Sequence, residues 1–254
     1  MVRPRKGLGQ HFLHDPGTIR RIVQAIHPRP GEALVEIGPG LGALTWPLLE
    51  AAGSLDAIEL DQRVLAELTR RSRSFGELRL HHADALEVDL ATLRRDAGRL
   101  RLAGNLPYNI STPLLFRLLA QAEHIQDMHF MLQKEVVVRM AAPPGNGDYG
   151  RLSVMVQYYC QVTRLFGIGP GAFSPPPKVD SALVRLVPKT PLPTRDPRLE
   201  RVVRQAFSQR RKTLRNSLAG LLDREAIRTA GVDPEQRPET LDLAAFIALG
   251  RFVS

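Results

Sequence analysis

Residues 33–43 constrain the fold of this chain more than any other stretch. Five residues with the composition of a buried strand, 33–37, run directly into a glycine-rich turn, 38–43, and an amphipathic helix follows. A second apolar segment, 54–59, ends in a carboxylate. These pieces make a βαβ unit, because glycine permits the tight turn and the helix N-terminus offers free N–H groups. The unit predicts a nucleotide-type ligand at the turn.

The carboxylate at the end of the second strand belongs to Glu59, which follows Gly38 by 21 residues. At that spacing an acid accepts hydrogen bonds from both hydroxyls of a ribose. Because the turn also reads Gly-x-Gly-x-x-Ala, an NAD-binding fold is an alternative. Glu36 precedes the first glycine by two residues. It favours a nucleotide-dependent methyltransferase, since a carboxylate facing the ligand suits a cationic amine and repels a pyrophosphate.

Strand and helix signals alternate along most of the chain, which predicts a doubly wound α/β sheet. Asp84 follows the third predicted strand, where its carboxylate can accept from the exocyclic amine of an adenine; a helix N-cap is the alternative. His81 and His82, on that strand, are predicted to be structural. The remaining strands are predicted at 78–82, 100–103, 128–133 and 182–187, with a helix and a further strand within 152–168.

The strand at 100–103 leads into Asn105-Leu106-Pro107-Tyr108. Ligands of open α/β sheets bind at the carboxyl ends of the strands, so a substrate is expected here. The Asn side chain supplies a carbonyl oxygen that accepts from an N–H, backbone carbonyls of the turn can supply another, and Tyr supplies a face for stacking. This set suits a flat heterocycle that carries an exocyclic amine. An ordinary turn is the alternative, since Asn, Pro and Gly all favour turns.

The net charge of +9 lies at the two ends of the chain. Residues 1–31 carry +5 and residues 189–254 carry +5, whereas residues 32–188 carry −1. A near-neutral body with basic flanks predicts a polyanion partner. The alternative is an Arg-rich composition, since 30 of the 35 basic residues are Arg.

Other compositional features exclude whole classes of protein. The single cysteine, Cys160, excludes an internal disulfide framework and a Cys-based zinc site, and it indicates a reduced, intracellular chain. No apolar run approaches the roughly 20 residues that a membrane-spanning helix needs. The basic start is not followed by the apolar region of a secretory signal.

Two later stretches suit contact with RNA. Three prolines after Phe173 are predicted to hold it on a rigid loop, where an exposed ring can stack on an unpaired base; a ring tucked under its own loop is the alternative. Residues 188–197 are predicted to be a linker and 198–254 to be helical. In that tail four cations within six residues predict a basic face, with a solvated charged surface as the alternative: Arg210, Arg211, Lys212 and Arg215.

With these motifs the chain closely resembles the bacterial small-subunit ribosomal RNA adenine dimethyltransferase family. The resemblance covers nearly the full length, and five motifs match in order. They are Gly9-Gln10-x-Phe12-Leu13, Glu36-x-Gly38-Pro39-Gly40-x-Gly42, Asn105-Leu106-Pro107-Tyr108, Phe173-x-Pro175-x-Pro177-x-Val179-Asp180-Ser181 and Phe207-x-x-Arg210-Arg211-Lys212-Thr213-Leu214.

The resemblance implies a Rossmann-like class I methyltransferase domain at 1–188, with a basic N-terminal arm at 1–15, and a small all-helical RNA-binding domain at 189–254. It implies S-adenosyl-L-methionine as methyl donor and dimethylation at N6 of two adjacent adenosines in a hairpin loop near the 3′ end of small-subunit (16S) rRNA. The family usually has Asn where this chain has His11. The residues carried over by position are His11, Leu13, Gly38, Glu59, Asp84 and Asn105 for the donor, Asn105, Leu106, Tyr108 and Phe173 for catalysis, and Arg210, Arg211, Lys212 and Arg215 for RNA.

We therefore expect a cytoplasmic, monomeric enzyme of small-subunit biogenesis with no metal. Its expected partner is small-subunit ribosomal RNA within a partly assembled 30S particle. Three alternatives stay open: a large-subunit rRNA adenine methyltransferase of the antibiotic-resistance type, an NAD-dependent oxidoreductase, and a non-catalytic RNA-binding assembly factor.

Overall fold

A computed structural model describes residues 10–72, 76–94, 98–209 and 211–253. Strands and helices alternate through the first two thirds of the chain, as predicted. Within the described residues the strands are β1 (Phe12–Leu13), β2 (Leu34–Ile37), β3 (Ser54–Glu59), β4 (Glu77–His82), β5 (Leu100–Asn105), β6 (Ile125–Gln133), β7 (Cys160–Ile168), β8 (Phe173–Ser174) and β9 (Ser181–Pro188).

The described residues form ten α-helices. In chain order they are α1 (Pro16–Ile26), α2 (Thr45–Ala52), α3 (Gln62–Ser72), α4 (Ser111–Leu119), α5 (Lys134–Ala141), α6 (Arg151–Tyr159), α7 (Pro197–Ala206), α8 (Leu214–Ser217), α9 (Arg224–Thr229) and α10 (Leu243–Gly250).

Among the described strands, seven form one sheet in the order β4-β3-β2-β5-β6-β9-β7. The pairs from β4 to β6 are parallel, and β9 runs antiparallel to β6. After β2 the chain adds β3 and β4 on one side, and it then returns to add β5 on the other side. This reversal creates a crevice at the carboxyl ends of β2 and β5, which is where open α/β sheets bind ligands. The predicted doubly wound sheet is confirmed.

The core explains why the strands read as apolar runs. All four residues of β2 are buried, because a parallel strand inside such a sheet is covered on both faces. Helices α1 and α2 bury Ile22, Ile26, Leu48 and Leu49 in one cluster with residues of β2, β3 and β5. Helix α1 begins where Asp15 accepts a 2.6 Å hydrogen bond from Thr18 N, with Pro16 as its first residue.

The chain divides into two compact units, residues 1–137 with 163–188 and residues 138–162 with 189–254. The predicted domain boundary after residue 188 coincides with an edge of these units, but the second unit also takes in residues 138–162 with α6. In that unit α7 buries Leu199, Val202 and Val203 and packs against α10, whose Phe246 is fully buried. No helix in the described residues has both the length and the apolar character to cross a bilayer.

Candidate active site

A cavity of about 150 Å³ opens where β2, β3 and β5 end. It lies in the first unit, at the crevice that the strand order creates. All six residues that the family resemblance assigned to the donor line it: His11, Leu13, Gly38, Glu59, Asp84 and Asn105. Asn105, Leu106 and Tyr108, from the predicted catalytic set, line it as well.

The glycine-rich turn after β2 lines the cavity, and at Gly38 and Gly40 it presents backbone with no side chain. Gly38 and Gly40 have φ angles of 70° and 53°, which L residues with a Cβ rarely adopt. A Cβ at Gly40 would lie 3.0 Å from the ring of Phe12. The turn therefore brings its own backbone against the cavity, which is the feature a nucleotide-type ligand needs.

The N-terminal arm lines the cavity with residues 10–13. Its strand β1 pairs with β8, and His14 N donates to the carbonyl of Ala172 at 2.9 Å. Gln10 Nε2 lies 3.4 Å from Asp61 Oδ2, and Asn105 Nδ2 donates to the carbonyl of His11 at 2.8 Å. The arm thus contacts the turn that follows β3 and the last residue of β5. Gly9, the first residue of the arm motif, lies outside the described residues.

Glu36 is a buried carboxyl group on the cavity wall, with 1% of its surface exposed. Burial raises the pKa of Glu36 to about 7, and the nearby Glu59 contributes to this rise. The 2.6 Å hydrogen bond from Thr45 Oγ1 acts in the opposite direction and lowers this pKa. A carboxyl group in this state favours a ligand that brings positive charge. The prediction that Glu36 faces the ligand agrees with this position.

Glu59 ends β3 and is 8% exposed. Burial raises its pKa, and backbone N–H groups of Asp61, Gly40 and Leu60 partly offset that effect. The bond from Asp61 N measures 2.8 Å. Asp61 itself is bound by Arg63, whose guanidinium lowers the pKa of Asp61 to about 2. Backbone N–H groups therefore orient Glu59, which lines the cavity.

Asp84 lies just past β4 and lines the same cavity. Its Oδ1 accepts from Leu86 N at 2.9 Å, within a turn and not at the start of a helix. The alternative of a helix N-cap is therefore wrong. His81 bonds Asp56 at 2.7 Å, which agrees with the predicted structural role of that histidine.

The 105–108 turn presents an oriented amide and a fixed ring. Because Asn105 Nδ2 donates to the His11 carbonyl of the arm, the Oδ1 atom of the same amide points away from that carbonyl. Leu106 is 1% exposed, belongs to the buried core and is also one of the residues that line the cavity. The Tyr108 hydroxyl lies 2.6 Å from Ser181 Oγ, and burial raises the pKa of that phenol. The phenol therefore stays protonated at neutral pH.

The expectation of an exposed Phe173 is wrong. Phe173 is 2% exposed and does not line the cavity. It lies in β8 opposite Leu13 of the arm, and its ring packs in the cluster that contains Met131 and Leu183. The pairing of β1 with β8 turns the ring inward, so the alternative of a ring tucked under its own loop describes the structure.

The predicted basic segment lies in the second unit. Arg211 and Lys212 are exposed, as expected for a basic face. Arg215 is also exposed, but its guanidinium lies 3.0 Å from Glu235, which Arg224 shares at 3.1 Å. Arg210 lies outside the described residues.

Sequence reasoning missed two partners of the site. Thr45 binds Glu36, and Ser181 binds Tyr108. Thr45 had no signal beyond its place at the first turn of a helix. Ser181 is the last residue of the proline-rich motif, and its presence in that motif was the only sequence feature that pointed to it. Its contact with Tyr108 could not be predicted, because the two residues are 73 positions apart in the chain.

Comparison with known proteins decides what kind of chain this is. The model of the ribosomal RNA adenine dimethylase family matches residues 1–251. The chain belongs to that family. Ribosomal RNA small subunit methyltransferase A of Pseudomonas aeruginosa is 60% identical over 250 residues, which cover 97% of this chain and 93% of that protein. The protein of the same name from Nitrosococcus oceani is 57% identical over 253 residues, which cover 98% and 96%.

Solved structures agree over 94% of this chain. A dimethyladenosine transferase from Plasmodium falciparum has a TM-score of 0.79 at 28% identity, with 96% of that chain covered. The 23S rRNA methyltransferase ErmE has a TM-score of 0.71 at 25% identity, with 98% covered. The predicted fold, a Rossmann-like class I methyltransferase, is confirmed. Since the family depends on S-adenosyl-L-methionine, the NAD-dependent alternative is excluded.

Proposed function

We propose that this chain transfers methyl groups from S-adenosyl-L-methionine to N6 of two adjacent adenosines in a hairpin loop near the 3′ end of small-subunit ribosomal RNA. The relatives at 57–60% identity are named for the small subunit, which supports the choice of RNA. The observation that carries the chemistry is the oriented amide of Asn105, whose Nδ2 is engaged by the arm. Its Oδ1 is therefore placed to accept a hydrogen bond from an amine.

The cavity fits the donor. Gly38 and Gly40 line it without side chains, so a ligand can approach their backbone closely, and Glu59 offers a carboxylate for two ribose hydroxyls. Asp84 offers an acceptor for an adenine amine, and the buried Glu36 favours positive charge. Bound there, S-adenosyl-L-methionine supplies a methyl group that is already activated on a sulfonium sulfur.

The chain's own contribution is alignment and charge stabilisation. Asn105 Oδ1 and the Leu106 carbonyl accept from the N6–H groups of the target adenine, which turns the nitrogen lone pair toward the donor. The two carbonyl dipoles also offset the positive charge that develops on that nitrogen. His11 stacks on one face of the Tyr108 ring, and the opposite face provides the stacking surface for a base drawn out of its RNA stack. The methylated aminium is acidic enough to lose its proton to water, so a strong general base is not required.

The exposed cations of the second unit, Arg211 and Lys212 with Arg215, supply contacts to RNA phosphates in this proposal. We place the enzyme in the cytoplasm, as a monomer that acts on a partly assembled small subunit. The basic flanks of the chain support a polyanionic partner of that kind.

The test uses isotope-labelled donor with unmodified small and large ribosomal subunits. We expect methyl groups on two adjacent adenosines of the small-subunit RNA, identified by mass spectrometry of nuclease fragments, and none on the large subunit. Labelling of the large subunit alone would overturn the choice of RNA and favour the antibiotic-resistance alternative. An absence of labelling on both would favour the non-catalytic assembly factor.

Asn105→Ala tests the assignment of the amide. Loss of one oriented electrostatic partner of a transition state lowers kcat by about 10²–10³-fold, and we expect a loss of this size at saturating donor. Asn146→Ala, which removes an exposed amide in the 143–148 loop, is the matched control and should keep wild-type turnover. Full turnover in Asn105→Ala would refute the assignment.

A further inference from the structure

His11 connects the N-terminal arm to two other parts of the first unit, the 105–108 turn and the proline-rich loop. Its carbonyl accepts from Asn105 Nδ2 at 2.8 Å, and its Nδ1 lies 2.8 Å from the carbonyl oxygen of Pro175. Its ring stacks on the ring of Tyr108, with centroids 5.5 Å apart and planes 28° apart. One residue of the arm therefore touches the amide, the aromatic face and the proline-rich loop.

The contact with Pro175 determines the proton on the imidazole. A carbonyl oxygen can only accept, so Nδ1 of His11 must carry a hydrogen and donate it. The stack on Tyr108 anchors the imidazole from a second direction. Tyr108 is in turn held at its hydroxyl by Ser181. Two independent contacts thus hold the imidazole, one to the main-chain carbonyl of Pro175 and one to the ring of Tyr108. Because the imidazole is attached to the His11 main chain, these contacts also restrain that main chain.

The position of that backbone decides which end of the Asn105 amide faces the cavity. A carboxamide has a broad, nearly two-fold terminal torsion, so its oxygen and nitrogen exchange places at little intrinsic cost. The His11 carbonyl removes this ambiguity, because it can accept from Nδ2 but would repel Oδ1. A flipped amide would turn N–H groups toward the amine of the base, where an acceptor is needed.

We propose that the His11 side chain is a positioning residue for methyl transfer, which locks the Asn105 amide and the Tyr108 ring in their reactive orientation. This inference rests on the proposed function and deepens it. It adds a role for the imidazole besides any contact of His11 with the donor. The imidazole acts through Asn105 and Tyr108, and it needs no proton exchange with the substrate.

Substitutions at position 11 can separate the two side-chain contacts. His11→Ala removes both. His11→Asn keeps a donor, since Asn Nδ2 takes the place of imidazole Nδ1 against the Pro175 carbonyl, but it loses the ring. His11→Phe keeps a ring on Tyr108 but cannot donate. His14→Ala is the matched control, because His14 is an exposed histidine of the same arm that bonds Ala172 through its backbone N–H.

The first measurement is kcat at saturating donor and small subunits, at a temperature well below the melting temperature of every variant. We expect His11→Ala to lose about tenfold in kcat, the size of effect that one or two neutral contacts produce. His11→Asn and His11→Phe should each recover part of that loss, and His14→Ala should match the wild type.

The second measurement is the ratio of monomethylated to dimethylated adenosine. After the first transfer N6 carries one hydrogen where it had two, so alignment of the second transfer depends more strongly on a correctly oriented acceptor. We expect monomethyladenosine to accumulate in His11→Ala and not in His14→Ala. A purely structural role for His11 would lower the fraction of active enzyme without changing this ratio.

Three outcomes would overturn the inference. In the first, His11→Ala matches His14→Ala in kcat and in product ratio. In the second, His11→Ala is faster than the wild type because the imidazole ring obstructs the base. In the third, His11→Asn and His11→Phe both show the full defect of His11→Ala. In each of these cases the wild type still transfers methyl groups, so the proposed function survives. A wild type that transfers none would overturn both.

Discussion

Glu36→Gln should stabilise the unliganded protein at high pH while weakening its binding of the donor. The wild-type carboxyl is 1% exposed and has a pKa of about 7, raised by burial from its ordinary value of 4.5. Between pH 4.5 and 7 the unfolded chain ionises this group freely, whereas the folded chain retains the proton. The free energy of unfolding therefore falls as pH rises through this window, and the loss is complete above about pH 7.

The size of the effect follows from the two pKa values. Their difference corresponds to about 3 kcal/mol at 1.36 kcal/mol per unit. Glutamine is neutral at every pH and can still accept the hydrogen bond from Thr45 Oγ1. At pH 8.5 the variant should therefore be about 3 kcal/mol more stable than the wild type, which corresponds to roughly 6–12 °C in melting temperature. At pH 4.5 the two proteins should melt within a few degrees of each other.

The assay is thermal unfolding of the unliganded proteins from pH 4.5 to 8.5, followed at each pH by titration with S-adenosyl-L-methionine. Glu87→Gln, at an exposed position of the same unit, is the control and should track the wild type throughout. The donor should raise the melting temperature of Glu36→Gln less than that of the wild type at pH 8.5, because the buried carboxylate favours a cation. A melting difference between Glu36→Gln and wild type that does not change with pH would refute this reasoning.

Two further predictions concern the base and the RNA. Ser181→Ala removes the 2.6 Å partner of the Tyr108 hydroxyl, so the ring is held less firmly and kcat should fall severalfold while the Kd for the donor, measured by calorimetry, stays within twofold. Wild-type kcat in this variant would show that the bond does not position the ring. Arg211→Ala combined with Lys212→Ala removes two exposed cations, so binding of small subunits should weaken. If both cations contact phosphates, the slope of log K against log salt concentration should become shallower by about 1.4–1.8. An unchanged slope would place the RNA elsewhere.

The amino-acid sequence by itself determined the elements of the fold and most residues of the site. The glycine-rich turn after residues 33–37 and the carboxylate of Glu59 are local patterns, because strand burial and turn chemistry act over a few neighbouring residues. For the same reason the position of Asn105-Leu106-Pro107-Tyr108 at the end of a strand follows from its neighbours in the chain. The strands of the sheet lie where the apolar segments predicted them, with ends that differ by up to three residues.

Contacts between residues far apart in the chain could not be predicted from local sequence patterns and were determined by the tertiary structure. The arm pairs with β8, and this pairing buries Phe173. The three prolines that follow Phe173 in the sequence had predicted an exposed ring. The orientation of the Asn105 amide is set by its hydrogen bond to the carbonyl of His11, which is 94 residues away in the chain. The burial of Glu36, and the inclusion of residues 138–162 in the second unit, likewise arise only when distant segments pack. Side-chain orientation and pKa depend on neighbours in space, and those neighbours are set by the fold as a whole.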